Sequence, residues 1–251
     1  MDKNFSMEIA LAKKAAFAAG KLLSENKADL NTTSSSDPRD TKLKADISSS
    51  ENLIKKIIKQ DSTYEILAEE SGKSSNNLGD TFWVIYPLDG TANYNRNIPI
   101  CCISIGMVEA LKPVFGVIYD FNNNEIYVGD NSNSSATLND VPISVSNVDQ
   151  KNKGIIVTGL PFKTDYSDVA LDKLISDMKT WKKTRMIGSA AMASCYIASG
   201  KAEMYKENGI FLWDIVAGAA IVEAAGGSAE ITNMKENFQV DVIFSNRKIK
   251  D

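Results

Sequence analysis

Trp83-Val84-Ile85-Tyr86-Pro87-Leu88-Asp89-Gly90-Thr91 is an apolar run that stops at Pro87 and gives way to a carboxylate, a glycine and a hydroxyl. A short apolar run bounded by turn residues reads as a buried strand, here one whose last residues face a site. Two distant stretches give it meaning. Ala68-Glu69-Glu70-Ser71-Gly72 lies just upstream, and Trp213-Asp214 lies far downstream. Together the three read as acidic groups converging on a metal ion.

Upstream, Tyr64–Ala68 reads as a short strand ending at Glu69-Glu70, and a polar loop, 71–80, leads into the strand at Phe82–Ile85. Gly72-Lys73-Ser74 looks like the end of a phosphate-binding P-loop, but that motif needs a glycine where Leu67 stands. Further upstream, Leu53, Ile54, Ile57 and Ile58 mark one apolar helix face. Ser48 and Glu51 in front of it have capping-box spacing, which places Asp46 just before the helix as a turn or capping residue. Residues 7–26 show helical spacing with strong helix formers, and the Ser, Thr, Asp and Pro of 31–40 read as a loop.

Downstream, strands are expected at 100–108, 114–119 and 125–128, with a loop at 131–135. The second half alternates. Strands at 154–158, 185–187 and 202–205 are interleaved with helices at 169–178, 190–198 and 214–225, and strands near 228–231 and 240–244 follow. Strand-rich and alternating portions in one chain favour a layered α/β or α+β architecture over a simple doubly wound sheet.

The chain has 251 residues, 43% of them hydrophobic and 24% charged, so one large domain or two halves sharing a core is expected. A net charge of −4 argues against a nucleic-acid or anionic-membrane surface. No apolar run approaches roughly 20 residues, and the N-terminal stretch lacks the apolar core and cleavage site of a signal peptide. Cys101, Cys102 and Cys195 show no zinc spacing, and they read as buried reduced thiols in a cytoplasmic protein, with Cys101 and Cys102 on opposite faces of a strand. There is no histidine. Ser-His-Asp and Cys-His nucleophile pairs are thereby excluded, as are histidine-based zinc sites.

Carboxylates, lysines, hydroxyls and hard cations remain for chemistry. Glu69, Asp89 and Asp214 each have a structural reading, as solvated turn acids or, for Asp214, as an acid at a helix start. Together, in a chain without histidine, they also suit Mg²⁺, which takes oxygen ligands and commonly bridges to phosphate. Asp89-Gly90-Thr91 adds a phosphate clue, because glycine lets a backbone approach a ligand and free amides at a helical turn attract an anion.

Three segments together resemble the inositol monophosphatase family of Mg²⁺-dependent, lithium-sensitive phosphatases. They are Glu69-Glu70-Ser71, Trp83 through Asp89-Gly90-Thr91-Ala92-Asn93-Tyr94, and Trp213-Asp214-Ile215-Val216-Ala217-Gly218 through Glu223-Ala224-Ala225-Gly226-Gly227. The resemblance spans nearly the whole chain. It implies one domain over 1–251 with a layered α-β-α-β-α sandwich. Residues 1–150 would form the metal and phosphate half, and 151–251 would supply Asp214 and the substrate pocket. It also implies a homodimer and Mg²⁺ held by Glu69, the Leu88 carbonyl, Asp89 and Asp214. The Gly90 and Thr91 amides would hold phosphate. Thr91, with Asp46 or Glu69, would activate the attacking water, and Glu70 would support the site. Ser189, Ala190 and Glu207 would line the alcohol side. The implied reaction is hydrolysis of a small phosphate monoester such as inositol 1-phosphate. Fructose 1,6-bisphosphate, 3′-phosphoadenosine 5′-phosphate and histidinol phosphate are handled on the same scaffold.

Tyr86 departs from the family pattern, Asp-Pro-hydrophobic-Asp-Gly-Thr, whose first Asp bridges two metals. A phenol with an ordinary pKa of about 10 is neutral and cannot bridge as a carboxylate does. Three explanations stand. The chain is a natural variant using one metal or a rearranged site, a non-catalytic protein that still binds a phosphate ester, or an enzyme changed at one codon.

Overall fold

The computed structural model describes residues 4–25, 44–160 and 166–250, with the side chains of 44–46 left aside. The helices are α1 (Ser6–Glu25), α2 (Lys44–Asp61), α3 (Thr91–Asn95), α4 (Asp168–Met178), α5 (Ala190–Ala198) and α6 (Leu212–Ala224). The strands of the first sheet are β1 (Glu65–Ala68), β2 (Gly72–Lys73), β3 (Thr81–Asp89), β4 (Cys102–Glu109), β5 (Lys112–Asp120), β6 (Glu125–Asp130), β7 (Ser135–Leu138) and β8 (Val141–Pro142). They lie in the order β2-β1-β3-β4-β5-β6-β7-β8, antiparallel except for the β1–β3 pair. The second sheet holds β9 (Ile155–Thr158), β10 (Lys183–Met186), β11 (Met204–Phe211), β12 (Ser228–Thr232) and β13 (Gln239–Ser245), ordered β10-β9-β11-β13-β12.

Strand alternation sends the first sheet's apolar residues to two cores. Trp83, Ile85, Cys101, Ile103 and Phe115 face the alanine-rich side of α1 and the isoleucines of α2. Phe82, Val84, Cys102 and Ile118 face α5 and α6, which also bury Val157, Tyr205, Val242 and Phe244 of the second sheet. α4 lies over the outer side of that sheet, where Asp177 pairs with Lys206 of β11 at 3.3 Å. The result is the expected α-β-α-β-α layering. The adjacent cysteines fall in opposite cores, and all three cysteines are buried and unbridged.

α6 is the central spacer, and it lies unusually close to the first sheet. A Cβ on Gly116 would stand 2.1 Å from the Ala217 carbonyl oxygen, and one on Gly129 would stand 2.4 Å from the Ile221 Cα. Backbone on both sides leaves no side chain to rotate away. Gly116→Ala is therefore expected to cost about 3 kcal/mol, read as a lower urea midpoint. An unchanged midpoint would contradict this packing.

Four local expectations are corrected. α2 begins at Lys44, so Asp46 lies inside it, and its side chain is outside the described residues. Ser48 and Glu51 are interior rather than a cap, because buried Ile47 carries the apolar face of Ile54 and Ile58 back another two turns. β3 runs through Pro87 to Asp89, with a register shift between Tyr86 and Asp89 where it pairs with β4. The polar segments hide strands: β2 lies within 71–80, and β7 begins at the end of 131–135, with β8 after it. The expected loop at 31–40 lies outside the described residues.

Candidate active site

The irregularity in β3 positions the central acid. It leaves Asp89 as the last strand residue, only 5% exposed. Asp89 Oδ2 accepts hydrogen bonds from Ser189 Oγ at 2.6 Å and from the Ala191 amide at 2.8 Å. The start of α5 thus grips Asp89. Ser189 caps the same helix by accepting from the Met192 amide at 3.2 Å, so one hydroxyl serves helix and carboxylate together. Gly90 follows at φ +80°, and a Cβ there would meet the Ile100 carbonyl oxygen at 2.6 Å. Only glycine fits this turn. It opens α3, whose Thr91 Oγ1 donates to the Leu88 carbonyl at 3.2 Å.

Three further acids share the electrostatic field of Asp89. Asp214, in the first turn of α6, is raised well above the usual carboxylate range. Burial is the main cause, and the charges of Asp89, Glu69 and Glu207 add to it; the Phe211 amide, donating to Asp214 Oδ2 at 2.7 Å, partly opposes it. The capping reading of Asp214 therefore holds for one oxygen while the residue faces the other acids. Burial lifts Asp89 to about 6 against the bonds from Ser189, Ala191 and Gly90. Burial lifts Glu207 to about 7, with Asp89 adding repulsion; Tyr205 OH, donating to Glu207 Oε2 at 2.8 Å, lowers it. No lysine or arginine is among the causes of these three shifts.

Tyr86 is half-buried and pairs across β4 with Ser104. The register Ala68↔Ile85 puts Glu69 abreast of Tyr86, one step beyond the last β1–β3 pair. Strand alternation turns Tyr86 toward the face of Val84, where α5 and α6 lie, and Glu69, in the turn after β1, adds its charge to Asp214 of α6. Tyr86 thus belongs to the acid side of the sheet.

Glu69, Asp89 and Glu207 lie within electrostatic range of Asp214, and Asp89 of Glu207, with Leu88 and Gly90 adjoining Asp89 in sequence, Thr91 bonded to the Leu88 carbonyl and Ser189 bonded to Asp89. Ala190 opens α5 beside them. Asp46 cannot be placed beyond its helix. Among the described residues, no three His, Cys, Asp or Glu side chains are gathered tightly enough to chelate an ion as they stand. Like charges repel, and Asp89 and Asp214 each commit one oxygen to a protein donor. The donor set still suits a hard divalent cation. It is all oxygen and anionic, with Asp89 buried and Glu69, Glu207 and Asp214 half-buried, and a cation would offset the cost of clustering these charges.

The model of the inositol monophosphatase family matches residues 3–250. The chain belongs to the inositol monophosphatase family. A protein of Pasteurella multocida named Nus factor SuhB is 34% identical over 224 residues, covering 86% of this chain and 82% of its own. An inositol monophosphatase of Mesembryanthemum crystallinum is 38% identical over 148 residues, 58% of this chain and 54% of that one. The solved structure of an inositol monophosphatase from Anabaena superposes with a TM-score of 0.82 at 31% identity, covering 97% and 92% of the two chains.

Around these acids, several supporting groups are not evident from sequence. Asn93 Nδ2 donates to the Ile100 carbonyl at 2.8 Å and to the Ile187 carbonyl at 2.7 Å, tying the Gly90 turn to the approach to α5. Tyr205 and Gly159 pack against Glu207. Only Ser189 carries a usable signal, a serine directly before an alanine-rich helix.

The raised acids make a pH prediction for the metal-free chain. Asp89 and Glu207 bind protons more tightly folded than unfolded, where 3.8 and 4.5 apply. The stabilisation this gives is complete below about pH 4 and is lost as pH rises through about 6 to 7. In EDTA, Tm should fall between pH 4.5 and 8, by the equivalent of about 3 kcal/mol for either group taken alone. A Tm rising over that window would contradict the assignment.

Proposed function

We propose that this chain is a Mg²⁺-dependent phosphomonoesterase acting on a small phosphorylated alcohol of the inositol 1-phosphate type. The observation that carries the reading is the group of buried Asp89 with half-buried Glu69, Glu207 and Asp214, in which Asp89 raises Glu207, and Asp89, Glu69 and Glu207 raise Asp214, with no basic side chain among the causes for Asp89, Glu207 or Asp214. Glu69, the Leu88 carbonyl, Asp89 and Asp214 would hold Mg²⁺. When bound, the ion supplies charge neutralisation for the phosphoryl oxygens and lowers the pKa of water.

The chain's own groups do the rest. The Gly90 turn presents the Gly90 and Thr91 amides to the phosphate. Thr91 Oγ1, fixed on the Leu88 carbonyl, orients the attacking water, with Glu69 or Asp46 accepting its proton. Glu207, held by Tyr205 on one oxygen, accepts a hydroxyl of the alcohol, and Ser189 and Ala190 line that side. Charge stabilisation and positioning carry phosphoryl transfer, so a chain without histidine suffices.

The same reading places the protein in the cytoplasm as a homodimer. Among the described residues no helix is long and apolar enough to cross a membrane. Exposed Val169, Ile175 and Met186 on α4 and the edge strand β10 supply apolar surface for a second copy.

Tyr86 supports a second reading, a protein of the same fold that binds a phosphate ester without turnover. Phosphate release should be measured with Mg²⁺ varied on inositol 1-phosphate, fructose 1,6-bisphosphate and 3′-phosphoadenosine 5′-phosphate. Ester binding without release, unrelieved by Tyr86→Asp, would favour the second reading.

A further inference from the structure

One turn of α2 reaches both segments that carry the acids. Glu51 is only 3% exposed. Its Oε1 accepts from Lys55 Nζ at 2.7 Å, and its Oε2 accepts from the Glu70 amide at 3.2 Å. Lys55 Nζ also bonds Ser71 Oγ, so the pair holds the Glu69–Ser71 turn at two points. The neighbouring Ser50, fully buried, points Oγ at the Pro87 carbonyl at 3.4 Å, one residue before Leu88 and two before Asp89. Consecutive residues of one helix thus face the Glu69 turn and the end of β3.

We propose that Glu51 is a positioning residue of the acid site: by holding the Glu70 amide it sets where Glu69 stands relative to Asp89 and Asp214, and so sets the affinity for a divalent cation. This rests on Glu69 and Asp89 being ligands. A buried carboxylate–ammonium pair is a poor device for stability alone, since its desolvation offsets much of its attraction. It is a good device for direction, because a buried oxygen on a side chain of this length reaches one particular amide. Groups that orient a metal ligand commonly change affinity 10- to 100-fold when removed.

Mg²⁺ binding to the full chain should be followed by isothermal titration calorimetry, on forms shown by circular dichroism to be folded. Glu51→Asp keeps the charge but loses the reach to the Glu70 amide, and it is expected to weaken Mg²⁺ about tenfold. Glu51→Gln keeps an oxygen of full length for the Glu70 amide, though its NH2 then faces Lys55, and should recover most of that loss; Glu51→Gln binding Mg²⁺ no better than Glu51→Asp overturns positioning through the Glu70 amide. Glu69→Gln serves as the control. Weakened binding in Glu69→Gln with unchanged binding in Glu51→Asp overturns the positioning role and leaves the ligand reading intact. Unchanged binding in Glu69→Gln, or no Mg²⁺ binding by any form including Tyr86→Asp, overturns the ligand reading and the role of Glu51 with it.

Discussion

Asp89→Asn is expected to lower Mg²⁺-dependent phosphate release by about 10³-fold or more while leaving the fold intact. The asparagine oxygen can still accept from Ser189 Oγ and the Ala191 amide, the two bonds that tie β3 to α5. What disappears is the negative charge, and charge placed for the transition state is where such sites gain most of their rate. The same substitution should stabilise the metal-free chain by about 1–2 kcal/mol at neutral pH, because it removes a buried charge that Asp214 and Glu207 both oppose. Loss of activity with a higher urea midpoint in EDTA is the paired signature. Loss of both would mean that Asp89 is chiefly structural.

Tyr86→Asp is expected to act in the opposite sense, raising kcat by about 10²-fold at saturating Mg²⁺. Tyr86 stands abreast of Glu69, three residues before Asp89, on the face of the sheet that carries the acids. A carboxylate there would add an oxygen ligand where the phenol offers one neutral oxygen. It would also add charge to a group already crowded with it. In EDTA the variant should therefore be less stable by about 1–2 kcal/mol, with the loss reversed by Mg²⁺ through preferential binding to the folded state. An unchanged kcat, with unchanged Mg²⁺ dependence of stability, would place residue 86 outside the site.

Much of this was legible in the sequence because it rests on short-range pattern. The run Trp83–Ile85 has the apolar content of a strand buried on both faces, and it splits between two cores as alternation requires. α5 begins and ends where its apolar stretch does, closed by Gly200 at φ +70°. Glu69 and Asp214 lie at element ends that the pattern locates, whereas the strand expected at 202–205 runs from Met204 to Phe211 and holds Glu207 in its interior. Long-range contacts were not legible. The shift between Tyr86 and Asp89 spans Pro87, which cannot donate to the ladder, but the pairing with β4 that lets the strand continue past it is long-range. Ser48 and Glu51 mimic a cap, yet α2 continues upstream because Ile47 finds a buried place, and Glu51 is instead taken by Lys55 and the Glu70 amide. Ser189 reads as a helix cap, but its second partner, Asp89, lies 100 residues away. Gly116 and Gly129 look like ordinary strand glycines until α6 is laid across them.

The central claim is that Glu69, Asp89 and Asp214 form a Mg²⁺ site for phosphate-ester hydrolysis. Its most direct test is phosphate release from inositol 1-phosphate as Mg²⁺ is titrated, run on the unsubstituted chain, Tyr86→Asp and Asp214→Asn. Release should rise with Mg²⁺ in the unsubstituted chain, rise further in Tyr86→Asp, and fall to background in Asp214→Asn. Release independent of Mg²⁺, or equal in Asp214→Asn and the unsubstituted chain, would contradict it.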